Sequence, residues 1–350
     1  MAKKWIFWLE ELGQEYSNVV GKKCANLGEM IKLGLRVPGG FALSVEAYTY
    51  FMEMTGATQK IRDYLSHISS ETTDLGQFNE LGAGISQIIM TEEMPRELTE
   101  IITEYYRELC YKCNTSKVAV SVRSAGPVSH PGQYETYLNV TGESDLISKI
   151  KKVWASTFNP RSLASRNKKG ISLTDDPIGV AIQKMVKSKA AGIIFTTDPN
   201  TGDTSKMVIE ANWGLGESVV SGEAIPDTYI LDKDTLTVKE KKLGLKSRYL
   251  TCGESGVTEV ETPPEKSSTF CLCDEELMEI GKLSKMVEHH FGIPQDVEWA
   301  IDQEAEQPDS IVLLQARPEI IAQRKNTTDQ IIDLMMNRFS GGIGFGGSDI

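Results

Sequence analysis

Apolar and polar positions alternate with a period of two along Gln295-Asp296-Val297-Glu298-Trp299-Ala300-Ile301-Asp302, and again along Ile311-Val312-Leu313-Leu314-Gln315-Ala316-Arg317-Pro318-Glu319. That period predicts two strands, with Asp296 and Glu298 on one face of the first and Gln315 and Arg317 on one face of the second. Val297, Trp299 and Ile301 supply the opposite, buried face. If residues 303–309 close an antiparallel hairpin, a carboxylate, an amide oxygen and a guanidinium converge. Such a set suits a divalent cation and the phosphate oxygens that it neutralises. The bland alternative is an edge hairpin carrying solvated polar residues.

Further upstream, Gly21-Lys22-Lys23-Cys24-Ala25-Asn26-Leu27-Gly28-Glu29-Met30 places Leu27, Met30 and Ile31 at helical spacing, before a break at Gly34 and Pro38-Gly39-Gly40 and a second helix start at Ser44. A helix that begins after Gly21 can aim its first N–H groups and Lys23 at a phosphate, although Lys22 and Lys23 equally suit a solvated helix start. Residues 57–113 read as amphipathic helices with no defensible catalytic group. Residues 118–122 form a buried-strand pattern that delivers Arg123 into a loop rich in Ser, Gly and Pro, and a second apolar run follows at 137–140. Such a loop can turn backbone N–H groups toward an anion, with Arg123 as a phosphate clamp; an ordinary long hairpin loop carries the same turn residues. From residue 178 the texture changes to short apolar runs at 178–185, 190–197, 207–212 and 229–231, which implies a mostly antiparallel sheet. The tail beyond residue 323 is polar, helical in pattern over 331–339, and glycine-rich at its end, and is expected to be flexible.

The 350 residues are 40% hydrophobic and 25% charged, enough for two lobes with a cleft between them. A net charge of −12 argues against a nucleic-acid partner, which needs a broad basic surface. No run of about 18 apolar residues suggests a membrane span, and the start of the chain lacks a signal-peptide core, so the expected location is the cytoplasm. Cys110 with Cys113 and Cys271 with Cys273 have spacings compatible with zinc. Their settings, a helix end and the residue before the acidic helical turn Asp274-Glu275-Glu276, favour free reduced thiols.

Together these strings resemble the N-terminal ATP-binding domain of the pyruvate phosphate dikinase and phosphoenolpyruvate synthase family. The likeness runs over residues 20–319, through Gly21-Lys22-Lys23-Cys24-Ala25-Asn26-Leu27, Ser121-Val122-Arg123-Ser124, Pro131-Gly132-Gln133-Tyr134-Glu135-Thr136-Tyr137-Leu138-Asn139, Gln183-Lys184-Met185-Val186, Phe195-Thr196-Thr197-Asp198-Pro199, Gly214-Leu215-Gly216-Glu217 and the closing hairpin. It implies an α+β ATP-grasp fold with the nucleotide between an N-terminal lobe (1–177) and a C-terminal lobe (178–322), followed by a tail (323–350). It implies ATP and Mg²⁺ as ligands. Lys23 and Arg123 would contact phosphates, with Lys22 as the alternative lysine, and Arg317 would meet the transferring phosphates. Gly132, Gln133, Glu135 and Thr136 would lie over the phosphates, Gln183, Met185 and Val186 would line the adenine pocket, and Glu217 would join the nucleotide site. Glu298 and Gln315, with Asp296, would bind the metal.

Two departures qualify the likeness. The lysine motif reads Gly21-Lys22-Lys23-Cys24 where the family writes Gly-Gly-Lys-Gly, which leaves the choice of lysine open. The family's phosphoryl-carrying histidine, set in a Gly-rich Thr-Ser-His-Ala string, is absent, because His67, His130, His289 and His290 all lie in other contexts. The expected partner is therefore a phosphohistidine-bearing subunit or domain with a small-molecule acceptor such as phenol or pyruvate. Among split systems the chain is similar to the ATP-binding subunit of phenylphosphate synthase; a rifampicin phosphotransferase fragment or a truncated phosphoenolpyruvate synthase would carry the same type of domain. A non-catalytic ATP-sensing subunit is the rival reading.

Overall fold

Two antiparallel sheets frame a cleft in the computed structural model, which describes residues 4–66, 75–126, 134–174, 176–254, 256–306 and 309–319. Strands β1 (Ile6–Trp8), β2 (Gly40–Leu43), β3 (Val120–Ala125), β4 (Thr136–Val140) and β5 (Gly179–Lys184) form the first, ordered β1-β2-β5-β3-β4. The chain then crosses at residues 185–187 into β6 (Ser188–Phe195), β7 (Lys206–Trp213), β8 (Asp227–Asp232) and β9 (Val238–Lys242). A separate hairpin follows, β10 (Arg248–Cys252) with β11 (Val257–Glu261), and β12 (Gln295–Asp302) and β13 (Ile311–Pro318) complete the second sheet in the order β13-β12-β6-β7-β8-β9. The architecture is α+β, as the alternation of helical and period-two patterns predicts.

Each sheet buries one face against helices. The first packs on helices that include Val45–Met54, Leu75–Thr91, Arg96–Lys112 and Glu143–Ala155, around Tyr48, Phe51 and Trp154. The second packs Val297, Trp299, Ile301 and Leu313 against the helices Lys22–Lys32 and Asp274–Phe291. Each such large apolar side chain, fully buried, contributes roughly 1.5–3 kcal/mol. Helix starts follow their capping residues: Ser44 Oγ accepts the Ala47 N–H, and Glu276 reaches back to the Cys273 N–H. Gly292, with φ of 70°, ends the helix Asp274–Phe291 and turns the chain into β12.

Candidate functional site

The register of β12 and β13 sets Asp296 opposite Arg317 and Glu298 opposite Gln315, so the four polar residues of the alternating pattern share one face. A bulge after Glu298 interrupts the ladder, while Val297 and Trp299 stay fully buried behind it. Arg317 Nε donates to Asp296 Oδ2 at 2.6 Å and Gln315 Nε2 donates to Glu298 Oε1 at 2.9 Å. The two carboxyls differ in charge preference. Burial raises Asp296 and Arg317 offsets this only in part, so it stands above the usual range. Burial would raise Glu298 as well, but Arg123, Lys23 and Arg317 outweigh it and hold that carboxyl below its usual range.

Arg123 comes from the other sheet. It lies inside β3 rather than at the mouth of a loop, because the strand pairs onward to Ala125 and sets Arg123 between Thr136 on β4 and Ala181 on β5. Its guanidinium crosses to the hairpin, where Nη2 donates to Glu298 Oε2 at 2.6 Å and Nη1 to the Leu314 carbonyl at 3.4 Å. The third contributor is the helix Lys22–Lys32. Gly21, with φ of 84°, lies so close to β3 that a Cβ there would sit 2.0 Å from the Ala125 carbonyl oxygen, and the Lys22 N–H donates to the Gly126 carbonyl. Asn26 Nδ2 donates to the Ala316 carbonyl at 2.8 Å and ties the same helix to β13. Lys23 is thereby held half-buried at the junction; desolvation, with repulsion from Arg123, brings its ammonium down to about 7 despite the attraction of Glu298. Burial pushes the neighbouring Cys24 thiol up to about 12, so it is no nucleophile.

These elements bound a cleft of about 770 Å³. Lys22, exposed at the rim, Lys23 and Arg123 line one part of it, with Glu298, Gln315 and Arg317 facing them. Glu135 and Thr136 close the side of β4, Gln183 at the end of β5 and Met185 and Val186 in the crossing line the passage between sheets, and Glu217 opens the short helix Glu217–Val220 after β7. Asp296 does not line the cleft but lies behind Arg317. Gly132, Gln133, His67, His130 and the tail from residue 320 lie outside the described residues. His289 and His290 occupy the last turn of the helix Asp274–Phe291, where the His290 ring meets Glu29 at 2.7 Å. Asn26 is a site residue to which sequence reasoning assigned no role; the signal was its position three residues beyond Lys23, on the same helical face.

The donor set fits a hard cation. Gln315 Oε1, on the cleft, is buried and without a hydrogen-bond partner, and it is the oxygen type that Mg²⁺ takes; Asp296, expected to join it, lies off the cleft behind Arg317. Among the described residues no group of three or more His, Cys, Asp or Glu gathers to hold a metal, at this cleft or elsewhere, and no helix is long and apolar enough to cross a membrane.

Glu298, Gln315 and the cations Lys23, Arg123 and Arg317 are drawn from separate elements onto one cleft, and comparison with known proteins gives the class of the chain. Residues 17–338 match the model for the pyruvate phosphate dikinase AMP/ATP-binding domain. The chain belongs to that family. It is 38% identical to a probable phosphoenolpyruvate synthase of Staphylothermus marinus over 91% of this chain and 42% of the relative. It is 37% identical to that of Methanocaldococcus jannaschii over 91% of this chain and 27% of the relative, and 36% identical to the phosphoenolpyruvate synthase of Aeropyrum pernix over 93% and 43%. The chain thus spans less than half the length of each of these relatives.

Proposed function

We propose that this chain is the ATP-binding and phosphate-activating part of a dikinase-type phosphotransferase, built as an ATP-grasp fold. The observation that carries the reading is the meeting of Lys23, Arg123 and Arg317 with Glu298 and Gln315 across the cleft. The boundary between the lobes in this reading, expected at 177/178, is drawn at residues 185–187, which the pairing of β5 with β2 and β3 supports. In this reading the adenine rests against Met185 and Val186 with Gln183 beside it, and Glu217 faces the nucleotide from the opposite wall. Lys23, Arg123 and Arg317 neutralise the charge of the triphosphate, Lys22 guards the rim, and Glu135 and Thr136, continuing from Gly132 and Gln133, cover the phosphates. Glu298 and Gln315 would hold Mg²⁺, which supplies further charge neutralisation at the phosphates, while Asp296, off the cleft, holds Arg317. Arg123 then exchanges Glu298 for phosphate oxygens, and Arg317 does the same with Asp296. Catalysis of this kind is positioning and electrostatics, so the chain itself needs no nucleophile.

The nucleophile is a histidine on a separate subunit or domain, which takes the pyrophosphoryl group of ATP with release of AMP, loses the terminal phosphoryl group to water as phosphate, and passes the remaining phosphoryl group to a small acceptor. Relatives named as phosphoenolpyruvate synthases favour a pyruvate-like acceptor over phenol or rifampicin. An ATP sensor is the weaker reading, since sensing does not require three cations and a metal donor set at the phosphates. The expected location is the cytoplasm. A ligand that binds only the native state stabilises it by about 2.7 kcal/mol at a hundredfold excess over its dissociation constant. MgATP should therefore raise the melting temperature measurably, and no shift at millimolar nucleotide would refute the assignment.

A further inference from the structure

The string that runs from Pro131 to Asn139 ends on a residue for which the phosphate chemistry has no use. Asn139 is buried in β4 with φ of 55°, in the left-handed region that Asn tolerates better than most residues. The pairing of β3 with β4 slips there, from Val122 opposite Tyr137 to Val120 opposite Val140, so Leu138 and Asn139 together oppose one residue. Such a bulge re-aims a side chain. Leu138 lines the cleft. The Asn139 amide instead reaches the tip of the β10–β11 hairpin, where Nδ2 donates to the Gly253 carbonyl at 2.9 Å and to the Gly256 carbonyl at 2.7 Å, one proton for each.

The base of that hairpin is anchored on the far wall of the cleft. Asn212, fully buried at the end of β7, donates through Nδ2 to the Arg248 carbonyl at 3.0 Å, and the Leu215 N–H donates to the Leu250 carbonyl at 2.8 Å. Gly214 permits the approach: its φ is 67° and a Cβ there would sit 2.1 Å from the Leu250 oxygen. Leu215, Gly216 and Glu217, which follow directly, line the cleft. The hairpin therefore spans from the wall bearing Thr136 and Leu138 to the wall bearing Glu217, and among the described residues its tip is held on the first sheet by a single side chain.

We infer that Asn139 is a positioning residue that latches the β10–β11 hairpin across the two sheets and so sets the separation of the cleft walls for nucleotide. The inference rests on the ATP reading above for its ligand but not for its geometry. Two lost hydrogen bonds on a buried donor correspond to roughly tenfold or more in an equilibrium constant. Without nucleotide, Asn139→Ala should speed hydrogen exchange at the amides of residues 250–252 and 257–259, and it should weaken MgATP binding by roughly tenfold while far-ultraviolet circular dichroism stays unchanged. Asn139→Asp, which keeps the size and loses both donors, should do the same. In the parent protein MgATP should slow exchange at those amides. Unchanged hairpin exchange in both variants would overturn the latch, and faster exchange with unaltered MgATP affinity would overturn its link to the cleft. If a variant does not fold, an absence of MgATP protection at the hairpin of the parent protein overturns the link by itself. Failure of the parent protein to bind MgATP would instead refute the ATP reading, and the nucleotide-free exchange rates would still report on the latch.

Discussion

Arg123 and Glu298 form a close ion pair between two sheets, and each is the other's main charge partner in a largely dry setting. Removing one partner of such a pair leaves the other desolvated and uncompensated. Glu298→Gln keeps the shape and a hydrogen-bond acceptor for Arg123 but removes the charge that would hold the metal. It should depress metal-dependent turnover, assayed with the phosphohistidine partner, far more than it weakens ATP affinity, and Arg317→Met should behave alike. Parent-like turnover by both variants would mean that the chemistry lies elsewhere. Lys23 adds a pH signature. Its ammonium, brought down to about 7 mainly by desolvation, binds fewer protons when folded than when unfolded between pH 7 and the ordinary lysine range. Stability therefore rises with pH across that window, and Lys23→Met should remove this part of the slope in urea titrations at pH 6, 8 and 10. A bound triphosphate favours the charged lysine, so nucleotide binding should take up protons above pH 7 and weaken as pH rises further. Calorimetry in buffers of different ionisation enthalpy reads that uptake directly.

At the scale of elements, the site depends on where the helix Lys22–Lys32 begins. Gly21 turns the chain with a positive φ while pressed against the Ala125 carbonyl, which delivers Lys22 and Lys23 to the end of β3. Gly21→Ala forces an alanine to φ of 84° and ψ of 154°, a region that is essentially glycine-only, at a cost of roughly 1–3 kcal/mol, and the overlap with the Ala125 oxygen adds to it. The variant should lower the urea midpoint and weaken MgATP together, because the helix start and the lysines move as one. A loss of stability with unaltered nucleotide affinity would detach the lysines from the site. The hairpin β12–β13 is held from behind by Val297 and Leu313, which pack in the core with Trp299, itself fully buried although it borders the cleft.

The molecule gathers Lys23, Arg123 and Arg317 with Glu298 and Gln315 on one cleft, and no histidine among the described residues lines it. Water replaces a docked imidazole poorly, since docking supplies much of the barrier reduction through orientation. The chain alone should bind ATP yet release AMP and phosphate only at a trace rate, and turnover should appear on addition of the phosphohistidine subunit. Incubation with β-labelled and γ-labelled ATP, with and without that subunit, followed by analysis of acid-labile label on each polypeptide, tests this. Label retained on this chain without its partner would overturn the division of labour and make a residue of this chain, with His130 the first candidate, the acceptor.

Period-two alternation in residues 295–302 and 311–319 determined both strands of the closing hairpin and which face of each bears the polar groups, because side-chain direction in a strand is a local property. The string from Gly21 likewise determined a helix with lysines at its start. Which groups meet across the cleft was decided only by the fold. Arg123 lies 175 residues from Glu298 and reaches it through the order in which β3 and β5 pair, and Asn26 finds the Ala316 carbonyl across 290 residues. The use of Asn139 was equally hidden, since the bulge that turns its amide toward Gly253 and Gly256 arises from register with β3 and from a hairpin more than a hundred residues away. Local periodicity sets direction within an element, whereas long-range pairing chooses its neighbours, and the chemistry of this site depends on both.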